Sequence, residues 1–343
     1  MEEKGKKLSR KDFIRVGGST VAGIGILGVA GRNIYRMFAK PDELFYNNQE
    51  QAVAVRQREA IPTPYKKVSA FKIDEPVAAF EMVDGRIFIG VENTVREYDA
   101  SGVERGRFRV EDVVRDIVAY AGNLYVLHPT KIGVYTPEGG AVQSWEACSE
   151  ESDYCSLTAF EGGVFVTDAA NKNICQYTLE GGFKRFINSP NEFIVPSYSF
   201  GITNLDGKVY CSNPGRHTVE CYTVDGEFVT AFGEAGTNAG QFSGCCNPVH
   251  VTTLASGDII TSEKGIPRIS CYSPNGKFHG VLLGEDALGI GHEAREVRVE
   301  GDRLVVAALG SVSIFQYDEQ YAQATACGDC EIECPLRRGV TLA

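Results

Sequence analysis

A glycine-bearing turn pair recurs along this chain, at Asp84-Gly85, Gly122-Asn123, Gly162-Gly163, Asp206-Gly207, Ser256-Gly257 and Gly301-Asp302, at intervals of 37 to 50 residues. Each pair separates two β-rich segments, and a third segment then ends in tyrosine, at Tyr98, Tyr135, Tyr177, Tyr222, Tyr272 and Tyr317. Glycine follows four residues later at Gly102, Gly139, Gly181, Gly226 and Gly276, and is missing after Tyr317. These are hairpin signals, because Asp225-Gly226 or Asn275-Gly276 supplies the positive φ of a tight turn. A unit this small cannot bury both of its faces alone, so successive units must stack on one another.

The fifth unit shows the content of a repeat. Its strands are expected at Val249 to Leu254, Asp258 to Ser262, Arg268 to Ser273 and Lys277 to Leu283. Four-stranded units at this period are the blades of a propeller, and the chain is read as all-β, a six-bladed β-propeller. Two tandem sandwiches fit less well, since sandwich strands do not repeat as a turn-matched quartet. Units four and five carry Phe232-Gly233, Asn238, Gln241-Phe242, Gly257-Asp258-Ile259 and Arg268-Ile269. They resemble NHL repeats, and that resemblance implies the same six-bladed ring. The sixth unit runs out of strands after Tyr317, so Lys66 to Ile73 is expected to supply its outer strand and close the ring.

Residues 1–39 hold eight Lys/Arg against Glu2, Glu3 and Asp12, which leaves 26 basic and 42 acidic residues in the body and a net charge there of −16. That surface repels phosphate backbones, so nucleic acid is set aside as a partner. Ser9-Arg10-Lys11-Asp12-Phe13-Ile14, followed by the uncharged run Val16 to Gly31, resembles a twin-arginine export signal with Lys11 in place of the second arginine. The resemblance implies an exported protein, periplasmic or anchored to the outer face of the cytoplasmic membrane. Residues 16–31 either serve as an uncleaved anchor or are removed; an ordinary amphipathic helix is the plainer alternative. The expected division is 1–39 as signal or membrane-anchor helix, 40–65 as linker, 66–320 as propeller and 321–343 as a Cys-rich tail.

The tail holds the sharpest chemical signal. Cys327, Cys330, Cys334 and Pro335 resemble the last three cysteines and the proline of a ferredoxin cluster loop, C-x2-C-x2-C-x3-C-P, with Ala324 at the first cysteine position. The resemblance implies a [4Fe–4S] cluster that lacks one ligand. Cys245-Cys246-Asn247-Pro248-Val249-His250 enters the first strand of the fifth unit, which lines the channel of a propeller. Adjacent cysteines bond each other poorly, because the small ring is strained. The tail is therefore expected to fold over the ring and take its fourth thiolate from Cys245 or Cys246, with His250 as a further candidate ligand. Zn²⁺ fits the same four thiolates. The alternatives are no metal at all, with Cys245, Cys246 and His250 as packed core residues and a disulfide within the tail.

Other cysteines read as structural. Cys211 and Cys221 are expected to face each other across a hairpin, Cys148 and Cys155 to bracket an acidic loop and pair, and Cys175 and Cys271 to be buried single thiols. The loop Glu150-Glu151-Ser152-Asp153 lacks calcium-site spacing and is expected to be solvated. No C-x-x-C-H, phosphate-binding glycine loop, nucleophile elbow or paired-histidine motif occurs, so no catalytic residues are assigned. The leading function is an iron–sulfur or thiolate-metal propeller acting in electron transfer or as an accessory subunit of an envelope complex with a protein partner. A metal-free scaffold binding protein or glycan is the alternative, and a propeller hydrolase or lyase comes third.

Overall fold

The computed structural model describes residues 64–289, 291–308 and 310–318. The expected export segment, most of the linker and the Cys-rich tail lie outside them. Six four-stranded antiparallel sheets form the ring. Blade 1 is β2 (Ala79–Val83), β3 (Arg86–Val91), β4 (Thr94–Tyr98) and β5 (Glu104–Arg109); blade 2 is β6 (Asp116–Tyr120), β7 (Asn123–His128), β8 (Lys131–Tyr135) and β9 (Ala141–Glu146). Blade 3 follows with β10 (Tyr154–Phe160), β11 (Gly163–Asp168), β12 (Asn173–Tyr177) and β13 (Phe183–Ile187), and blade 4 with β14 (Ile202–Leu205), β15 (Lys208–Asn213), β16 (Thr218–Thr223) and β17 (Phe228–Phe232). Blade 5 is β18 (His250–Thr253), β19 (Ile259–Glu263), β20 (Arg268–Tyr272) and β21 (Phe278–Leu283), within a residue or so of the strands expected for it.

Blade 6 contains β22 (Glu296–Glu300), β23 (Arg303–Ala308) and β24 (Ser311–Tyr317), and its outer strand is β1 (Tyr65–Lys72) from the start of the ring. The expected closure is therefore present, with Tyr65 opposite Tyr317 and Lys72 opposite Ser311. The inner strands β2, β6, β10, β14, β18 and β22 neighbour one another in a closed cycle.

The recurring glycine and tyrosine have a shared cause. Each tyrosine ends or nearly ends the third strand of its blade, and the rings of Tyr98, Tyr135, Tyr177 and Tyr272 meet an aromatic side chain from the outer strand of the preceding blade. Phe71 and Tyr98 stack at 5.6 Å between ring centres, Trp145 and Tyr177 at 6.1 Å, and Phe232 and Tyr272 lie 5.3 Å apart. The glycine four residues on takes positive φ, +82° at Gly102 and +88° at Gly139. A Cβ there would stand 2.5 Å from Phe71 or Phe108, so the same atom-poor turn lets the next blade pack closely. Blade 6 has no such glycine because its outer strand does not come from a hairpin.

In blades 2 and 3 the first turn sits one residue earlier than expected, at Ala121-Gly122 and Glu161-Gly162, since Tyr120 pairs with Asn123 and Phe160 with Gly163. Ala121 accepts φ of +49° there. The up-and-down order fixes two faces. The loops between blades and the turns between second and third strands share one, the loop face; the other hairpins share the opposite, hairpin face. Pro64 and Asp318 leave the ring side by side on the hairpin face, where the Asp318 amide donates to the Pro64 carbonyl at 2.8 Å. Among the described residues no helix is long and apolar enough to cross a membrane.

Candidate functional site

Charged side chains on the inner strands meet in the channel. Arg298 of β22 lies 3.1 Å from Asp116 of β6, 3.6 Å from Glu81 of β2 and 3.7 Å from Glu296. It also donates to the Ile117 carbonyl at 3.3 Å, and its guanidinium sits 5.5 Å from the centre of the Phe80 ring. The carboxylates are engaged by neighbouring blades as well: Asp116 accepts from the Leu157 amide at 2.9 Å and from the Ser156 hydroxyl, and Glu296 accepts from the Phe80 amide at 2.9 Å. Burial lifts Glu296 to about 8 against the pull of Arg298, and lifts Glu81 for the same reason. The cluster is thus a hub tying blades 6, 1, 2 and 3.

His250 belongs to this hub. Its Nε2 lies 3.0 Å from Arg298 Nη1, a donor, and 3.1 Å from the Val297 carbonyl, an acceptor, so either tautomer of the ring has a partner there. Burial and the charge of Arg298 push the ring down to about 3. Its Nε2 is engaged in the channel, and among the described residues His250 stands in no donor cluster with the two cysteines that precede it.

Cys245 and Cys246 sit on the loop face, in the connection from β17 to β18, with Sγ atoms 3.0 Å apart. The motif residues of that connection hold it in place. Arg268 of β20 donates to the carbonyls of Thr237, Asn238 and Gln241 at 2.7 to 3.2 Å and pairs with Glu263 at 2.8 Å, both side chains being buried. Phe242 is buried against Tyr272, and Asn247 donates to the Ser243 carbonyl at 2.6 Å and to the Lys264 carbonyl at 2.8 Å. Cys245 is exposed and Cys246 is buried. Burial raises the Cys246 thiol, yet hydrogen bonds from Cys245 and Ser197 and the charge of Lys264 outweigh it and leave Cys246 below its ordinary value. Cys245, donating to Cys246, is raised.

A second thiol site was not foreseen as a pair. Cys148, in the loop from β9 to β10, has its Sγ 2.8 Å from that of Cys175 on β12. Asp168 lies close enough to make these three a possible ligand group, and they are the one cluster of His, Cys, Asp and Glu donors with that geometry among the described residues. Cys175 is thus not the single thiol expected. Cys148 does not meet Cys155 either: Cys155 donates to the Asp153 carbonyl at 3.7 Å and packs toward blade 4, since Tyr154 and Cys155 alternate across the strand. Cys211 and Cys221 do not face each other. Cys211 pairs with Glu220 and Cys221 with Tyr210, a one-residue offset that sends the two thiols to opposite faces of blade 4. None of the eight described cysteines is in a disulfide.

The acidic loop is only half solvated. Ser152 and Asp153 are buried, and Asp153 lies 3.5 Å from Arg115. Cys327, Cys330 and Cys334 lie outside the described residues. Sequence reading missed the channel residues Glu81, Asp116, Glu296 and Arg298; the available signal was a charge set into otherwise apolar inner strands.

No protein-family model matches the chain, and no curated protein matches it. Solved structures do. Virginiamycin B lyase from Staphylococcus aureus superposes with a TM-score of 0.52 at 15% identity, covering 74% of this chain and 99% of that one. A streptogramin B lyase gives 0.53 at 13% identity over 76% and 100% of the two chains. A structural-genomics protein of unknown function from Bacteroides thetaiotaomicron gives 0.57 at 10% identity over 74% and 72%. At these identities the likeness is one of fold: the chain is a six-bladed β-propeller, similar to other propeller proteins.

Proposed function

We propose that this is an exported propeller in which Cys245 joins Cys327, Cys330 and Cys334 as the fourth thiolate of a [4Fe–4S] site, serving electron transfer or docking in an envelope complex. The observation that carries the reading is the Cys245–Cys246 pair, an exposed thiol beside an acidic one on a loop pinned by Arg268 and Asn247. The donor set fits: a cubane cluster takes four thiolates and supplies one-electron transfer when bound. Exposed Cys245 is the ligand and Cys246 its hydrogen-bonding neighbour. A Zn²⁺ tetrathiolate uses the same residues.

Chain length bounds this arrangement. Cys327 lies nine positions after Asp318, a span of at most about 30 Å. A six-residue strand is about 20 Å long, so the tail reaches the loop face with little slack. The exit on the hairpin face favours a second reading, in which the tail thiols take their fourth ligand from the partner protein. The catalytic reading ranks below both, because the channel carboxylates are committed to Arg298 and to backbone amides.

Anaerobic purification of the full chain and its variants separates the readings. Cys330→Ser should abolish bound metal while the ring stays folded, and Cys245→Ser should lower metal content at least several-fold. Loss with Cys330→Ser alone would favour the second reading. Wild-type protein without iron, zinc or sulfide would refute both and leave the scaffold alternative.

A further inference from the structure

We propose that Cys148 and Cys175 form a disulfide that ties the loop entering blade 3 to the third strand of that blade, and that it forms when the chain reaches an oxidising compartment. This pairing is independent of the metal reading above, since it uses neither the tail nor Cys245 and Cys246.

The geometry selects the pair. Their Sγ atoms lie 2.8 Å apart, against about 2.05 Å for an S–S bond. Closing that gap takes a small side-chain rotation. Cys245 and Cys246 lie nearly as close, but adjacent residues close a strained ring.

The surroundings favour a neutral product. Cys175 is buried, and both thiols pack with Tyr154, Tyr177 and Trp145. Burial pushes the Cys175 thiol well up, so a thiolate is disfavoured there, whereas a disulfide carries no charge. A metal ion would need those thiolates and Asp168 as the third ligand. Asp168 is already committed: one carboxylate oxygen accepts from the amides of Asp153, Ala170 and Asn171 at 3.0 to 3.1 Å, and the other from the Asn171 side chain at 2.9 Å. Ligation through the second oxygen would compete with the Asn171 side chain that it already accepts from. The disulfide leaves that bond intact.

The chemistry balances through thiol–disulfide exchange with the disulfide of an oxidising oxidoreductase. Cys148, the less buried thiol, loses its proton and attacks that disulfide, releasing one oxidoreductase thiolate. Cys175 then loses its proton and attacks the Cys148 sulfur, forming the Cys148–Cys175 bond and releasing the second. The protein loses two electrons and two protons, and the oxidoreductase leaves as a dithiol.

Peptide mapping of the full chain tests this. The protein is purified from an oxidising compartment, its free thiols alkylated under denaturing conditions, and digested with trypsin without reduction. Between Lys131 and Lys184 the only basic residue is Lys172, so Cys148 and Cys155 share one tryptic peptide while Cys175 lies on the next. The expected product joins peptides 132–172 and 173–184, with Cys155 alkylated. Cys155→Ser should keep the link and Cys148→Ser should lose it. Protein made in a reducing cytosol should show both thiols alkylated, and a portion treated with oxidised glutathione before alkylation should show the link. A Cys148–Cys155 bond within one peptide, or full alkylation of Cys148 and Cys175 after oxidation, would overturn the proposal. So would protection of the two thiols that a metal chelator abolishes.

Discussion

Replacing Arg298 with methionine removes the one cation among Glu81, Asp116 and Glu296 while keeping an apolar stem beside Phe80. Each pair near 4 Å is worth about 4 kcal/mol at an effective dielectric constant near 20. Burying the guanidinium costs several kcal/mol, so the three attractions do not simply add. Breaking a buried network by deleting one partner costs about 3–5 kcal/mol, because it strands the opposite charges. That is the expected loss at pH 8. Without Arg298 the Glu296 carboxyl loses the charge that pulls it down and rises above about 8, so the variant holds that proton at pH 8 as well as at pH 5.5, and the loss should differ by less than about 1 kcal/mol between the two. Urea unfolding of wild type and Arg298→Met at both pH values measures it, provided the slopes agree. A loss under about 1 kcal/mol at pH 8 would refute the view of the channel as a charge hub.

Glu296 also sets a pH dependence of its own. Its folded value of about 8 exceeds the ordinary 4.5, so the folded chain binds that proton more tightly, and its contribution to stability is lost as pH rises from 4.5 to 8. Glu296→Gln should flatten the fall in stability between pH 7.5 and 8.5, where His250 is largely neutral folded or unfolded; unchanged slopes would count against it. Phe71→Ala strips the closing strand of its stack on Tyr98 and its contact over Gly102, for a loss of about 2–3 kcal/mol. In a domain this size that is a fall in melting temperature of about 5–10 °C, and a fall under about 2 °C would contradict the closure argument. Arg268→Met frees the carbonyls of Thr237, Asn238 and Gln241. Proteolysis should then cut within 233–249, and buried Cys246 should alkylate faster; a loop as resistant as wild type would show that Arg268 does not pin it.

The ring was legible because its signals are local. Turn glycines and strand-ending tyrosines repeat, and each meets the same requirement in its own blade, close packing against the outer strand of the one before. Even the shared sixth blade could be read, since Tyr317 has no following glycine while Lys66 to Ile73 has strand character without a blade. The channel was not legible. Arg298 and Asp116 are 182 residues apart and meet only when the ring closes, and a charge in a short strand otherwise reads as a solvent-facing position. Pairing by nearness in sequence failed for the cysteines for a related reason. Strand alternation turns Cys155 away from Cys148, and a one-residue register offset separates Cys211 from Cys221. His250 stood beside the dithiol in sequence, but its strand carries it into the channel.

The proposed function stands most directly on iron and acid-labile sulfide per chain in anaerobically purified full-length protein. About four of each, with a broad visible band near ~400 nm that is lost in Cys330→Ser, is the predicted result. Colourless protein containing neither iron, sulfide nor zinc would contradict it.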